Sequence, residues 1–319
     1  MLLSILRRIA LAVVVLWVTS TVVFGMFFVA PHNVAQMLAG RQATPETVAL
    51  IERRLGLDRP VLDQYGSFLS NLVQGDLGYS FRNQQPVTSM IADRLPVTLS
   101  LVGGAAILLL LIGVGAGVLA ATRPRSIADR LVTVGALFFY SMPSFLLGLL
   151  LLYVCFYRFQ LAGIHLFPGS GYVPLNEDPV QWAAHLVLPW LTIALVTAAT
   201  YARLTRTSML EVLGEDYIRT ARSKGLRERR VVYRHALRSA LTPIVTQFGI
   251  DIGVLLGGVV ITEYVFGLPG LGQLAIQSVT TQDLPVIIGT VLLASAFVVV
   301  ANIIVDACYV LLDPRVRMH

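Results

Sequence analysis

Apolar stretches recur along the chain at Ile9–Ala30, Val97–Ala121, Leu131–Tyr157, Leu186–Ala202, Leu241–Thr262 and Leu284–Val305. A helix needs about 20 apolar residues, at about 1.5 Å each, to cross a hydrocarbon layer. The pattern therefore predicts six transmembrane helices and an all-α integral membrane protein. The fourth stretch is short, and Asp251 interrupts the fifth. Arg7 and Arg8 precede the first run as in a signal peptide, but Phe28 stands where a cleavage site wants a small residue and Pro31 follows Ala30. The expectation is an uncleaved first helix.

Between the first two spans the polar pattern changes. Thr44-Pro45-Glu46 has the order of an N-cap, a first-turn proline and a first-turn acid, and Val48, Ile51 and Leu55 keep helical spacing up to Gly56. Leu62, Tyr65, Phe68, Leu69, Leu72 and Val73 mark a second amphipathic helix that ends at Gly75. These helices either cap the bundle or receive a partner or solute. The loop from Arg158 to His185 holds Pro168, Gly169, Gly171, Pro174 and Pro179, which suits an irregular surface link. The organisation expected is residues 1–96 as first span plus outer segment, 97–312 as the main membrane domain with a cytoplasmic hairpin at 203–243, and 313–319 as a tail.

Composition agrees with burial in lipid: 56% of the 319 residues are hydrophobic and 13% charged, against about a quarter charged in soluble domains. The cations then set orientation, because Lys and Arg stay on the cytoplasmic side. Arg7 and Arg8, Arg123 to Arg130, the segment Arg203–Arg238, and Arg315 and Arg317 all fall on one side. Both termini are expected in the cytoplasm.

The segment Arg203–Arg238 has ten cations against Glu211, Glu215, Asp216 and Glu228, a net +6 that equals the charge of the whole chain. A short helix is expected from Asp216 through Tyr217, Thr220 and Ala221 to a stop at Gly225, and a second from near Leu226 into the fifth span. Arg227, Arg230, Arg234 and Arg238 fall in one stripe of the second. These arginines alone are explained by topology and by anionic headgroups, at about 1 kcal/mol per contact. That account leaves out the small-residue turn Ala221-Arg222-Ser223-Lys224-Gly225, where another protein could approach the backbone closely. A docking hairpin explains the whole segment.

These residues resemble the membrane permeases of binding-protein-dependent ATP-binding-cassette importers, in the branch for dipeptides, oligopeptides and nickel. The stretch from Asp216 to Leu226, with His235-Ala236-Leu237-Arg238 and Pro243, is similar to the family's cytoplasmic coupling motif. Leu55-Gly56-Leu57-Asp58-Arg59-Pro60, Gly75-Asp76-Leu77-Gly78, Ser141-Met142-Pro143-Ser144-Phe145, Leu256-Gly257-Gly258, Glu263-Tyr264-Val265-Phe266, Pro269-Gly270-Leu271-Gly272 and Asp313-Pro314-Arg315 extend the likeness over almost the full chain. Two places depart from it: Pro31-His32-Asn33-Val34 replaces the usual Pro-Gly-Asp-Pro, and Ser223 stands where Ala is common.

The resemblance implies a type I importer transmembrane domain in a bacterial or archaeal inner membrane. It also implies a second permease subunit, one or two ATPase subunits that hold ATP and Mg, an extracytoplasmic binding protein and surrounding lipids, with no nucleic acid. Asp216, Tyr217, Thr220, Ala221, Arg222, Gly225 and Leu226 would form the ATPase-coupling surface. The residues agree that energy comes from elsewhere: a phosphate-binding loop needs Lys followed by Ser or Thr, and the only lysine, Lys224, is followed by Gly225. No catalytic or metal motif is present, and no cofactor is expected in the chain itself.

Gly249, Gly253 and Gly257 repeat at intervals of four in the fifth span and predict a bare face for a neighbouring helix, within the chain or in a second permease. Gly113 and Gly117 repeat the theme in the second span. Asp251 points away from the glycine face; it lines the solute path, bonds another helix or sits near the interface. If it were an ion site, the chain would be a gradient-driven secondary transporter, the alternative function; a membrane enzyme is the third. Asp306 reads as structural. His32, His165 and His185 have no ligand spacing, and Cys155 and Cys308 read as small core residues.

Overall fold

The computed structural model describes residues 2–29, 35–36, 44–55 and 58–312. Within these, six helices are long and apolar enough to cross a membrane: Ala10–Val29, Val87–Thr122, Ser144–Leu161, Pro179–Leu213, Glu228–Leu256 and Leu284–Ile304. The chain packs as two compact units, Met1–Thr98 with Pro269–Val300, and Leu99–Leu268 with Ala301–His319. The segments Pro31-His32-Asn33-Val34, Gly56-Leu57 and Asp313-Pro314-Arg315 lie outside the described residues, as do the side chains of Asp306 and Cys308.

In the first unit, α1 (Leu2–Phe24) continues through a wide turn at Gly25–Val29. The expected outer helices are present as α2 (Pro45–Leu55) and α3 (Val61–Val73). Tyr65 and Phe68 of α3 meet Phe24 in tilted ring contacts, and the Tyr65 hydroxyl shares a 2.5 Å hydrogen bond with Thr21. The ends of the predicted apolar face do not join this contact: Leu62 and Val73 are 82% and 87% exposed. Gly75 closes the segment at φ +77°, a conformation open to a residue without Cβ.

A two-stranded ribbon, β1 (Tyr79–Ser80) with β2 (Gln85–Pro86), then leads into α4 (Val87–Thr122). Val87 and Ile91 of α4 form a core with Leu271 and Leu274 of α11 (Leu271–Thr281) and Val286 of α12 (Leu284–Leu312). Buried Asp283 ties the ribbon down, accepting from Ser80 at 2.5 Å and Asn83 at 3.0 Å. Thr98 Oγ1 accepts the first amide of α11 at 2.9 Å, satisfying one of the orphan donors of that helix end.

The second unit contains the remainder of α4, then α5 (Ile127–Tyr140), α6 (Ser144–Leu151, continuing through Leu152–Arg158 and Phe159–Leu161) and α7 (Pro179–Leu213). The expected third span, 131–157, is two helices. Pro143 has no N–H to donate and crowds the preceding turn, so α5 ends at Tyr140 and α6 begins afresh after Pro143 at φ −59°, ψ 135°. The fourth span is far longer than 186–202. Asp178 caps α7 by accepting from Val180 and Gln181, with Pro179 in the first turn, and the helix runs past its apolar part to Gly214.

After α8 (Asp216–Ser223), α9 comprises Glu228–Arg230, a wide turn Val231–Ala236 and Leu237–Gly258, and α10 spans Val260–Phe266. The fifth span therefore begins earlier than Leu241 and breaks at Val259. Gly267, at φ +61°, ends α10.

α4 and α7 meet through glycines. A Cβ on Gly113 would lie 2.5 Å from Tyr201 Cβ and 3.0 Å from the Ala198 carbonyl, and one on Gly117 would lie 2.5 Å from Thr205 Cβ and 2.7 Å from the Ala202 carbonyl. Gly104 leaves room for the Trp190 ring, whose Nε1 donates to the Ser100 carbonyl at 3.0 Å. Small residues on both helices permit this approach, which is how helices associate where lipid offers no hydrophobic drive. Gly249 and Gly253 of α9 are buried.

Candidate functional site

The hairpin around Gly225 is built from its helix ends. α8 closes with a complete C-terminal motif: Gly225 N–H donates to the Arg222 carbonyl at 2.9 Å and Leu226 N–H to the Ala221 carbonyl at 3.4 Å, with Gly225 at φ +75°. The Arg222 guanidinium reaches across the turn and binds Glu228 at two points, 3.2 and 2.7 Å. α9 starts at Glu228, two residues later than the expected Leu226.

Two side chains hold α8 to the unit. Ile218 is fully buried and Ala221 nearly so, in a cluster with Val118 and Ala121 of α4, Met209 of α7, and Val231, Val232, Ala236 and Ala240 of α9. Leu226 packs on the same cluster. The opposite face is open: Asp216, Tyr217, Arg219, Thr220, Ser223 and Lys224 are all exposed. Of the seven expected coupling residues, Asp216, Tyr217, Thr220, Arg222 and Gly225 thus lie at the surface, while Ala221 points inward and Leu226 is half-buried. Ala221, expected as part of the small-residue coupling turn, shares the inner face of α8 with Ile218. Arg227, Arg230, Arg234 and Arg238 are exposed, as their stripe predicts.

Asp251 is engaged by two donors. The hydroxyl of fully buried Tyr201 donates to Oδ2 at 2.8 Å, and Gln247 Nε2 donates to Oδ1 at 3.0 Å. The carboxylate therefore bonds α7 to α9 beside a core of Leu109, Ala194, Tyr201 and Ile244. His165 is exposed, and His185 bonds the Gln181 carbonyl one turn back in its own helix. His32 lies outside the described residues.

One pair escapes the sequence pattern. Asp129 is buried and binds Arg206 at two points, Oδ1 to Nε at 2.7 Å and Oδ2 to Nη2 at 2.9 Å. The Arg206 bond and the Arg125 amide at 2.9 Å lower the Asp129 pKa to about 2. Ser126, the cap of α5, accepts the Asp129 amide, so Ser-x-x-Asp was the readable signal. Nothing in the spacing announces the partner 77 residues away. Buried Glu263 in α10 is a second acid that hydropathy did not separate from its apolar surroundings.

Comparison with known proteins agrees along the chain. Residues 113–318 match the family described as binding-protein-dependent transport system inner membrane component, and residues 1–102 match its N-terminal part. A protein of Brucella abortus (strain 2308) named as a peptide transport system permease is 42% identical over 313 residues, 98% of each chain. The glutathione transport system permease protein GsiC of Escherichia coli (strain K12) is 37% identical over 314 residues, again 98% of each. A solved chain of the MetNI methionine ABC transporter, inward facing, aligns with a TM-score of 0.50 at 22% identity, covering 68% of this chain and 95% of that one. That likeness is one of fold, and it matches the expected importer transmembrane domain. The gradient-driven alternative finds no support among these relatives.

Proposed function

The chain belongs to the family of binding-protein-dependent transport system inner membrane components, and from that premise we propose that it is the permease of an ATP-driven importer for peptides. It forms half of a translocation path, and a second permease subunit forms the other half. An extracytoplasmic binding protein delivers a di- or oligopeptide, and one or two separate ATPase subunits bind ATP and Mg and perform hydrolysis. The chain crosses the inner membrane with both termini in the cytoplasm. The peptide assignment leans on relatives named for peptide and glutathione transport.

The observation that carries the coupling is the two-sided character of α8. Ile218 and Ala221 anchor it to the ends of α4, α7 and α9, and its other face presents Asp216, Tyr217, Thr220 and Ser223 without cover. A helix anchored to three spans and open on its far side transmits a push to those spans. Closure of the ATPase pair would then exchange two helix arrangements that differ in affinity for the solute. The bonds to Asp251 from Tyr201 and Gln247 favour its reading as an interhelical link over a place on the solute path.

The test is to replace Gly225 with Trp, and separately Tyr217 with Ala, and to measure ATPase co-purification together with peptide uptake. Both variants should lose ATPase and uptake together. Normal assembly with normal transport would refute the docking role.

A further inference from the structure

A groove of about 290 Å³ runs between α5 and α7 within the second unit, bounded by Val132, Thr133, Ala136, Tyr140, Arg203 and Arg206. Its two cations differ. Arg206 is paired with Asp129, whereas Arg203 is exposed and makes no ion pair among the described residues. Arg203 nevertheless stands on a helix that crosses the membrane.

Position along α7 says what an unpaired guanidinium there can meet. Trp182 and Arg203 are separated by roughly 30 Å at 1.5 Å per residue, close to the thickness of the hydrocarbon layer. Between them the helix carries no Asp, Glu, Lys or Arg, so Arg203 falls where α7 leaves the hydrocarbon layer. From that boundary the groove follows α5 inward for about 12 Å, from Val132 to Tyr140. Its walls are mostly apolar, and the neighbouring face of α5 leaves Leu131, Val134, Leu137 and Phe138 more than half exposed. A cation at the mouth with an apolar trough behind it matches one chemistry, a phosphate head followed by an acyl chain.

We propose that the groove between α5 and α7 is a binding site for an anionic phospholipid, with the headgroup on Arg203 and an acyl chain along Val132, Ala136 and Tyr140. The site does not depend on the ATPase-coupling assignment and needs only that α7 cross the bilayer. Because the groove adjoins the Asp129–Arg206 pair, a bound lipid would stiffen the contact of α5 with α7.

The experiment is native mass spectrometry of the full-length protein, purified with its accompanying subunits, after exposure to equal amounts of phosphatidylglycerol and phosphatidylcholine. Wild type should retain phosphatidylglycerol about fivefold over phosphatidylcholine, the size of one cation–headgroup contact. Arg203→Ala should lose the preference, and Arg203→Lys should keep most of it. Ala136→Trp should displace the lipid by filling the trough with the charge intact. A preference undiminished in both Arg203→Ala and Ala136→Trp would overturn the proposal. So would an Ala136→Cys variant that cross-links to another permease chain, since a protein would then fill the groove.

Discussion

Asp129 and Arg206 meet in a two-point ion pair, 2.7 and 2.9 Å, that fastens the start of α5 to the C-terminal part of α7. Asp129 also accepts the Arg125 amide, so loss of the carboxylate disturbs three hydrogen bonds at once. Asp129→Asn should lower the melting temperature in detergent, and the exchange Asp129→Arg with Arg206→Asp should recover part of the loss.

The same pair sets a pH dependence with a definite sign. The folded pKa of Asp129 is lowered to about 2 from 3.8. The stabilisation is therefore fully present above about pH 4 and is lost as pH falls towards about 2. Melting curves of wild type and Asp129→Asn should converge across that interval and stay apart above it.

The glycines of α4 should be unequal. Gly113→Leu must displace Tyr201 or the α7 backbone and should cost about 1–3 kcal/mol or more through overpacking. Gly115, where an added Cβ would meet no neighbouring element within 4 Å, should accept Ala with little effect. Thermal melts of the two variants make the comparison; equal losses would place α4 differently against α7.

Tyr201→Phe deletes one donor to Asp251 and leaves the ring. Polar bonds between membrane helices are worth about 1 kcal/mol, so a loss of that order is expected in unfolding titrations. Asp251→Asn keeps one acceptor oxygen for Gln247 and presents an NH2 that the Tyr201 hydroxyl can accept, so it should retain most uptake. Abolished uptake at unchanged stability would instead assign Asp251 to the solute path.

α8 should separate anchoring from docking. Ile218→Ala empties a fully buried position and should cost about 2–5 kcal/mol. Tyr217→Ala, on the open face, should leave stability nearly unchanged while weakening ATPase co-purification. A binding assay run beside a melt distinguishes the two.

Hydropathy made the membrane and the number of spans legible, and its errors have a physical cause. It reads the solvent and not the helix, so it ended the fourth span at Ala202 although α7 continues through Arg203 and Arg206 to Gly214. It joined α5 to α6 because Ser141-Met142-Pro143 contains no charge, although proline chemistry divides them. The turn of the hairpin was readable because Gly225 carries a local conformational signal, whereas the facing of Ala221 and Leu226 needed the fold. The bonds Asp129–Arg206 and Tyr201–Asp251 were not readable, since long-range partners are set by helix register and not by neighbours in sequence.

The central claim, that transport energy enters from a separate ATPase through α8, is tested most directly by peptide uptake into proteoliposomes holding the assembled complex. Ionophores would collapse all ion gradients, and ATP would be supplied or withheld on the ATPase side. Uptake should require ATP, persist without gradients, and fall with Tyr217→Ala. Uptake that continues without ATP while a gradient is present, and stops when the gradient is removed, would contradict the account.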